Sequence, residues 1–167
     1  MKLTPGADRN AIFDQPRAIL VEGADDQAIV AALIRHEGLE DFQVHDMRGN
    51  KSWGQRLETI IRQPEFSVTV KALGLIKDAD ANPNAAFDSC VGVLRRYSLP
   101  EPRGAGELAH GAISVAVMIA PSVSRQGAIE DLCMDSFDEA HLACVRSYFA
   151  CLGRTLTVTA LMSGWAA

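Results

Sequence analysis

Four short stretches of this chain place acidic or basic side chains after apolar runs. They are "VEGADD" (21–26), "HDMRGNKSW" (45–53), "KDAD" (77–80) and "GAIEDL" (127–132). Carboxylates that face one another away from water repel, and a divalent cation relieves that repulsion. Mg2+ suits the task because it takes hard oxygen ligands, commonly one or two carboxylates together with water and phosphate oxygens. The candidate ligands are Glu22, Asp26, Asp78, Asp80, Glu130 and Asp131. Asp78 and Asp80 are two apart, so in an extended segment alternation points both to one side and toward one ion.

Each of these acids also has an ordinary reading. Asp78 and Asp80 are suited to a turn before "NPN" and to capping the helix after it. Asp25 and Asp26 suit a helix N-terminus, where an exposed acid contributes only ~0.3–1 kcal/mol. Glu130 and Asp131 suit a second helix start. Glu22 fits this reading least, because it follows Ile19, Leu20 and Val21 directly.

Basic residues stand near the same places. "MRGNKSW" supplies Arg48 and Lys51, and "SVSRQG" supplies Arg125. With Gly49 and polar neighbours, these suit a turn that contacts phosphates; a solvated loop is the alternative. Trp53 has the chemistry to stack a base, although a tryptophan there more commonly packs a helix.

The elements that must position these groups follow from apolar patterning. Strands are expected at 17–23, 42–47, 68–80 and 112–121, the last an uninterrupted apolar run stopped by Pro121. Continuous apolar strands suit a sheet covered on both faces. Helical stripes lie between and after them: Ile29, Leu33 and His36; Leu57, Ile60 and Ile61; Phe87, Val91 and Leu94; Leu142, Val145, Phe149 and Leu152. Ser136 and Glu139 fit a capping box for the last helix, and Gly153 a stop. Ile129 and Leu132 mark a buried helical edge. The Pro- and Gly-rich segment 98–111 reads as a surface connection. Alternating strands and helices imply β-α-β units and a mostly parallel sheet. Ligands of such sheets bind beyond the carboxyl ends of the strands, where all four stretches fall.

Bulk properties set limits. The chain has 167 residues, 48% of them hydrophobic, and a net charge of −5. That size is about one domain, expected over 1–153 with an apolar tail at 154–167. The acidic balance argues against a broad, non-specific grip on nucleic acid but allows a local basic strip. The N-terminal residues show no secretory pattern, and the longest apolar run falls short of the ~20 residues that span a bilayer. A cytoplasmic protein without membrane contact is expected. Cys90, Cys133, Cys144 and Cys151 show no zinc spacing, and buried thiols are expected. The tail "TLTVTALMSGWAA" lacks a polar face, which suggests self-association.

Taken in order, "LVEGADD", "LGLIKDADAN" and "GAIEDL" resemble the TOPRIM domain, in particular small stand-alone TOPRIM-like proteins related to the OLD-type nucleases. The resemblance spans residues 17 to 152. It implies a three-layer α/β/α fold with a central, mostly parallel sheet, and a Mg2+ (or Mn2+) site. Glu22 matches the family's glutamate, Asp78 and Asp80 its D-x-D pair, and Asp26 the acid four residues after the glutamate. Glu130 and then Asp131 match later acids. The chain has neither a tyrosine-nucleophile nor an ATPase domain, so strand rejoining is not expected, and its tail lacks the family's lysine.

The expected activity is metal-dependent hydrolysis of DNA or RNA phosphodiesters, in settings such as DNA repair or phage defence. Two ions ~3.5–4 Å apart perform this in many nucleases. Glu22 would be ligand or general base, Asp78 and Asp80 ligands, Asp26 and Glu130 ligands to a second ion, and Lys51 a further catalytic group. The competing reading is a non-catalytic module that binds nucleic acid, a nucleotide or a protein partner. A third is a domain whose acids bind Mg2+ for stability alone.

Overall fold

The computed structural model describes residues 13–49 and 53–155. Strands and helices alternate as the apolar patterning requires. In order they are β1 (Arg17–Val21), α1 (Ala24–His36), β2 (Phe42–Asp46), α2 (Trp53–Ile61), α3 (Pro64–Thr69), β3 (Ala72–Asp78), α4 (Pro83–Arg96), β4 (Leu108–Ala109), β5 (Ser114–Ala120), α5 (Ile129–Asp135) and α6 (Glu139–Thr155). The chain forms two compact units, one through Ile129 and one from Glu130 onward.

The first unit is α/β, built on a five-stranded sheet in the order β2-β1-β3-β5-β4. β1 pairs in parallel with β2 and β3, and β3 in parallel with β5. Only the edge strand β4 is antiparallel. Alternation splits the strand side chains between two cores. Leu20, Leu73, Leu75, Val115 and Val117 pack with Trp53, Leu57, Phe66, Cys90 and Leu94 from α2, α3 and α4. Val21, Val44 and Ala120 pack with Val30, Ala31 and Ile34 of α1 and with Ile129. Helices thus cover both faces, giving the expected three-layer α/β/α arrangement.

Several expectations are corrected. The β-branched residues Val68 and Thr69 do not extend β3; they lie in or at the end of α3, whose first residue is Pro64, a favoured N1 residue. On α1 the buried stripe is Asp26, Val30, Ala31 and Ile34, while Leu33 and His36 face solvent. The helix is rotated so that an aspartate, not Ile29, begins its inner face. Residues 98–111 are more than a connection: they carry β4, too short to leave a sequence pattern. Of the cysteines only Cys90 is buried; Cys144 and Cys151 are exposed.

In the second unit, Asp138 rather than Ser136 caps α6, its Oδ1 accepting the His141 N–H at 2.9 Å. Ser136 instead donates its hydroxyl to the Cys133 carbonyl. Gly153 does not stop the helix, which runs to Thr155. Leu132, Val145 and Phe149 are exposed rather than buried. The apolar tail from 156 onward lies outside the described residues. Among the described residues no helix is long and apolar enough to cross a membrane.

Candidate functional site

β1 connects first to β2 on one side of it, and the chain later returns as β3 on the other side. The junction of β1 and β3 is therefore a point where the strand order reverses, and such junctions open a crevice at the carboxyl ends of the strands. Glu22 directly follows β1, and Lys77 and Asp78 end β3. The sequence thus delivers its acids to the place where this topology leaves room for a ligand.

Alternation along β3 then separates two neighbouring charged residues. Asp78 turns toward the α1 face, and Lys77 toward the α2 and α4 face. On the α1 side, carboxylate oxygens of Asp26 and Asp78 lie within 4.8 Å of each other. Asp26 is buried, at 6% exposure, because it continues the Val30 and Ile34 stripe. Its Oδ2 accepts the Gly23 N–H at 2.8 Å, which fixes the carboxylate at the first turn of α1. Asp78 Oδ1 accepts the Ile129 N–H at 3.0 Å. Each carboxylate therefore has one oxygen anchored by backbone.

On the other side, Lys77 Nζ stands 3.3 Å from Glu22 Oε2, with the two side chains 6% and 14% exposed. The ammonium lies 5.7 Å from the centre of the Trp53 ring. Trp53 is buried at 3% exposure, so it packs α2 rather than offering a face to a base. Its Nε1 has no hydrogen-bond partner among the described residues. Cys90 of α4 also faces this pair. Burial pushes its thiol up to about 12, with the nearby Lys77 charge pulling the other way. Burial likewise lowers the pKa of His45 on β2, against a smaller opposing effect of Asp14.

Asp80 departs from the expected geometry. The extended segment ends at Asp78, and Asp80 adopts a positive φ of 47°. Its backbone pairs in both directions with Gly127, at 2.9 and 3.0 Å. Gly127 has φ 130°, a conformation that a side chain would strain. Strand alternation therefore ends at Asp78. Asp80 borders an open cleft of about 320 Å³ whose lining includes Lys77, Asn82 and Ser89. Gln126 Nε2 donates to the Ala81 carbonyl at 2.7 Å, so the loop after β5 is fastened to the loop after β3.

The remaining candidates are placed as follows. Arg48 is exposed with φ 55°, its N–H donated to Asp46 Oδ1 at 2.5 Å. The Gly49 N–H reaches the Glu22 carbonyl at 2.8 Å, which holds the "MRG" turn against the end of β1. Arg125 is exposed in the loop after β5, and Asp25 is exposed in the first turn of α1. Lys51 lies outside the described residues. Glu130 and Asp131 are exposed in the first turn of α5, at the start of the second unit. Lys77 was missed by the motif reading, although a lone lysine inside the apolar run "ALGLIKDA" is a signal in itself.

Two carboxylates whose oxygens lie within 4.8 Å of each other have the donor chemistry that a hard cation such as Mg2+ would take. No curated protein and no solved structure matches the chain. A family model, described as "Protein of unknown function (DUF3226)", matches residues 16–155. That match covers most of the sequence, and the chain belongs to the DUF3226 family.

Proposed function

We propose that this protein is a metal-dependent phosphodiesterase acting on DNA or RNA, with Mg2+ or Mn2+ held by Asp26 and Asp78. The observation that carries this reading is the approach of those two carboxylates beside the β1–β3 junction. The ordered likeness of "VEGADD", "KDAD" and "GAIEDL" to the TOPRIM domain supports it. When bound, the ion would supply Lewis acidity and lower the pKa of a coordinated water.

The chain's own residues have the following parts. Asp26 and Asp78 bind the ion, each steadied by the backbone N–H it accepts. Glu22 is the general base, acting through water from the rim at the end of β1 that both faces of the sheet share, and Lys77 holds it there. Arg48 and Arg125, with Lys51, contact substrate phosphates. Asp80 is a ligand or borders the substrate cleft.

The test is purified protein with single- and double-stranded DNA and RNA in Mg2+ or Mn2+. Cleavage is expected, and Glu22→Gln should lower it ~10²-fold or more, the usual share of a general base. Cleavage unaffected by both Glu22→Gln and Asp78→Asn would point to a contaminant. Intact substrates with metal still bound would favour the non-catalytic binding module.

A further inference from the structure

We infer that Lys77 is a built-in cation that keeps Glu22 out of the metal shell, so that this site takes one divalent ion and not two. The inference rests on the metal-binding reading proposed above and specifies its stoichiometry.

The pleat of β3 decides which charged groups meet. Successive side chains point to opposite faces, so Lys77 and Asp78 cannot serve the same side of the sheet. Asp78 meets Asp26 beside α1, and Lys77 meets Glu22 beside α2 and α4. The Glu22–Lys77 pair is almost wholly withdrawn from water, at 14% and 6% side-chain exposure. In that setting charges are weakly screened. A divalent ion coordinated to the paired Glu22 oxygen would come within about 5.4 Å of the ammonium, given a Mg–O distance near 2.1 Å. The ammonium already supplies the positive charge that such an ion would bring. Trp53 closes one side of it, its ring centre 5.7 Å away.

Lys77 also lines the cleft that Asp80 borders. Removing its charge would leave Glu22 without its partner in a region that also contains Asp80. The geometry therefore predicts a gain: Lys77→Met should recruit a second ion that the natural chain refuses.

The experiment is Mn2+ binding to the full chain by equilibrium dialysis, with circular dichroism on each variant. The natural protein should bind one Mn2+. Asp78→Asn should weaken that binding at least tenfold, and Glu22→Gln should leave it within about threefold. Lys77→Met, if folded, should bind two. Two ions on the natural protein would overturn the inference, as would a tenfold loss in Glu22→Gln or a folded Lys77→Met that still binds one. If Lys77→Met does not fold, the natural stoichiometry and Glu22→Gln decide. A natural protein that binds no Mn2+ would overturn the metal-binding reading itself, a result distinct from two ions.

Discussion

Asp26 on α1 and Asp78 at the end of β3 bring carboxylate oxygens within 4.8 Å of each other, while Lys77, the residue before Asp78, binds Glu22 on the opposite side of the sheet. One turn of the β3 pleat thus sorts four charged residues into an acidic pair and an ion pair. The acidic pair brings two carboxylates together, and the ion pair joins a carboxylate to an ammonium.

The first consequence concerns Asp78. Asparagine keeps the oxygen that accepts the Ile129 N–H but removes the charge. Asp78→Asn should therefore leave metal-free stability unchanged or slightly raised, and should abolish stabilisation by Mg2+ or Mn2+. For the natural protein, ligand at a hundred times its Kd contributes about 2.7 kcal/mol. Thermal melts with and without metal check this; an equal metal-induced rise in Tm in both proteins would contradict it.

The Lys77–Glu22 pair makes a prediction about folding. Removing one member of a buried ion pair leaves an uncompensated charge, which costs about 3–5 kcal/mol. Lys77→Met should lose stability in that range. The double variant Lys77→Met with Glu22→Gln should recover at least half the loss, because no charge is then left buried. Urea unfolding of the two single variants and the double variant measures the coupling; simple additivity would count against it.

His45 gives a pH dependence. Burial lowers its folded-state pKa, and Nε2 has no partner among the described residues. The unfolded chain, with a pKa near about 6.5, then takes up the proton first. Stability is full above that value and falls as pH drops from about 6.5 toward the lower folded pKa, by at most about 1.4 kcal/mol per pH unit. His45→Phe, which keeps a ring beside Phe13, should flatten this part of the profile. A slope unchanged by the substitution would assign it elsewhere.

Cys90 gives a test of packing. Its thiol is buried under α4 and pushed up to about 12, so almost no thiolate is present at neutral pH. An alkylating reagent at pH 7.5 should modify the exposed Cys144 well before Cys90, by roughly a hundredfold or more, because the thiolate is the reactive form. Mass spectrometry of tryptic peptides reads the order. Equal rates in native protein would contradict the packing of α4 against β3.

The layered fold was legible because it rests on apolar runs and on their alternation with helices. Helix orientation was less so: Leu33 is as apolar as Ile34, and only packing against Val21 and Val44 selects the inner face that includes Asp26. Val68 and Thr69 illustrate the limit of propensity, since a proline at the start of α3 outweighs their β-branching. At the site, position along the chain put Glu22 and Asp78 at strand ends correctly. It did not assign them to different sides, because that depends on where β3 stops being extended. The positive φ of Asp80 is set by its pairing with Gly127, a contact between distant loops that no local pattern encodes.

The central claim is that a divalent ion belongs to Asp26 and Asp78. Anomalous diffraction from crystals soaked in Mn2+ tests it most directly. The account predicts a single strong peak in contact with oxygens of both carboxylates, lost in Asp78→Asn crystals. A peak bound to Glu22 with Lys77 displaced, or no peak near either aspartate at saturating Mn2+, would contradict it.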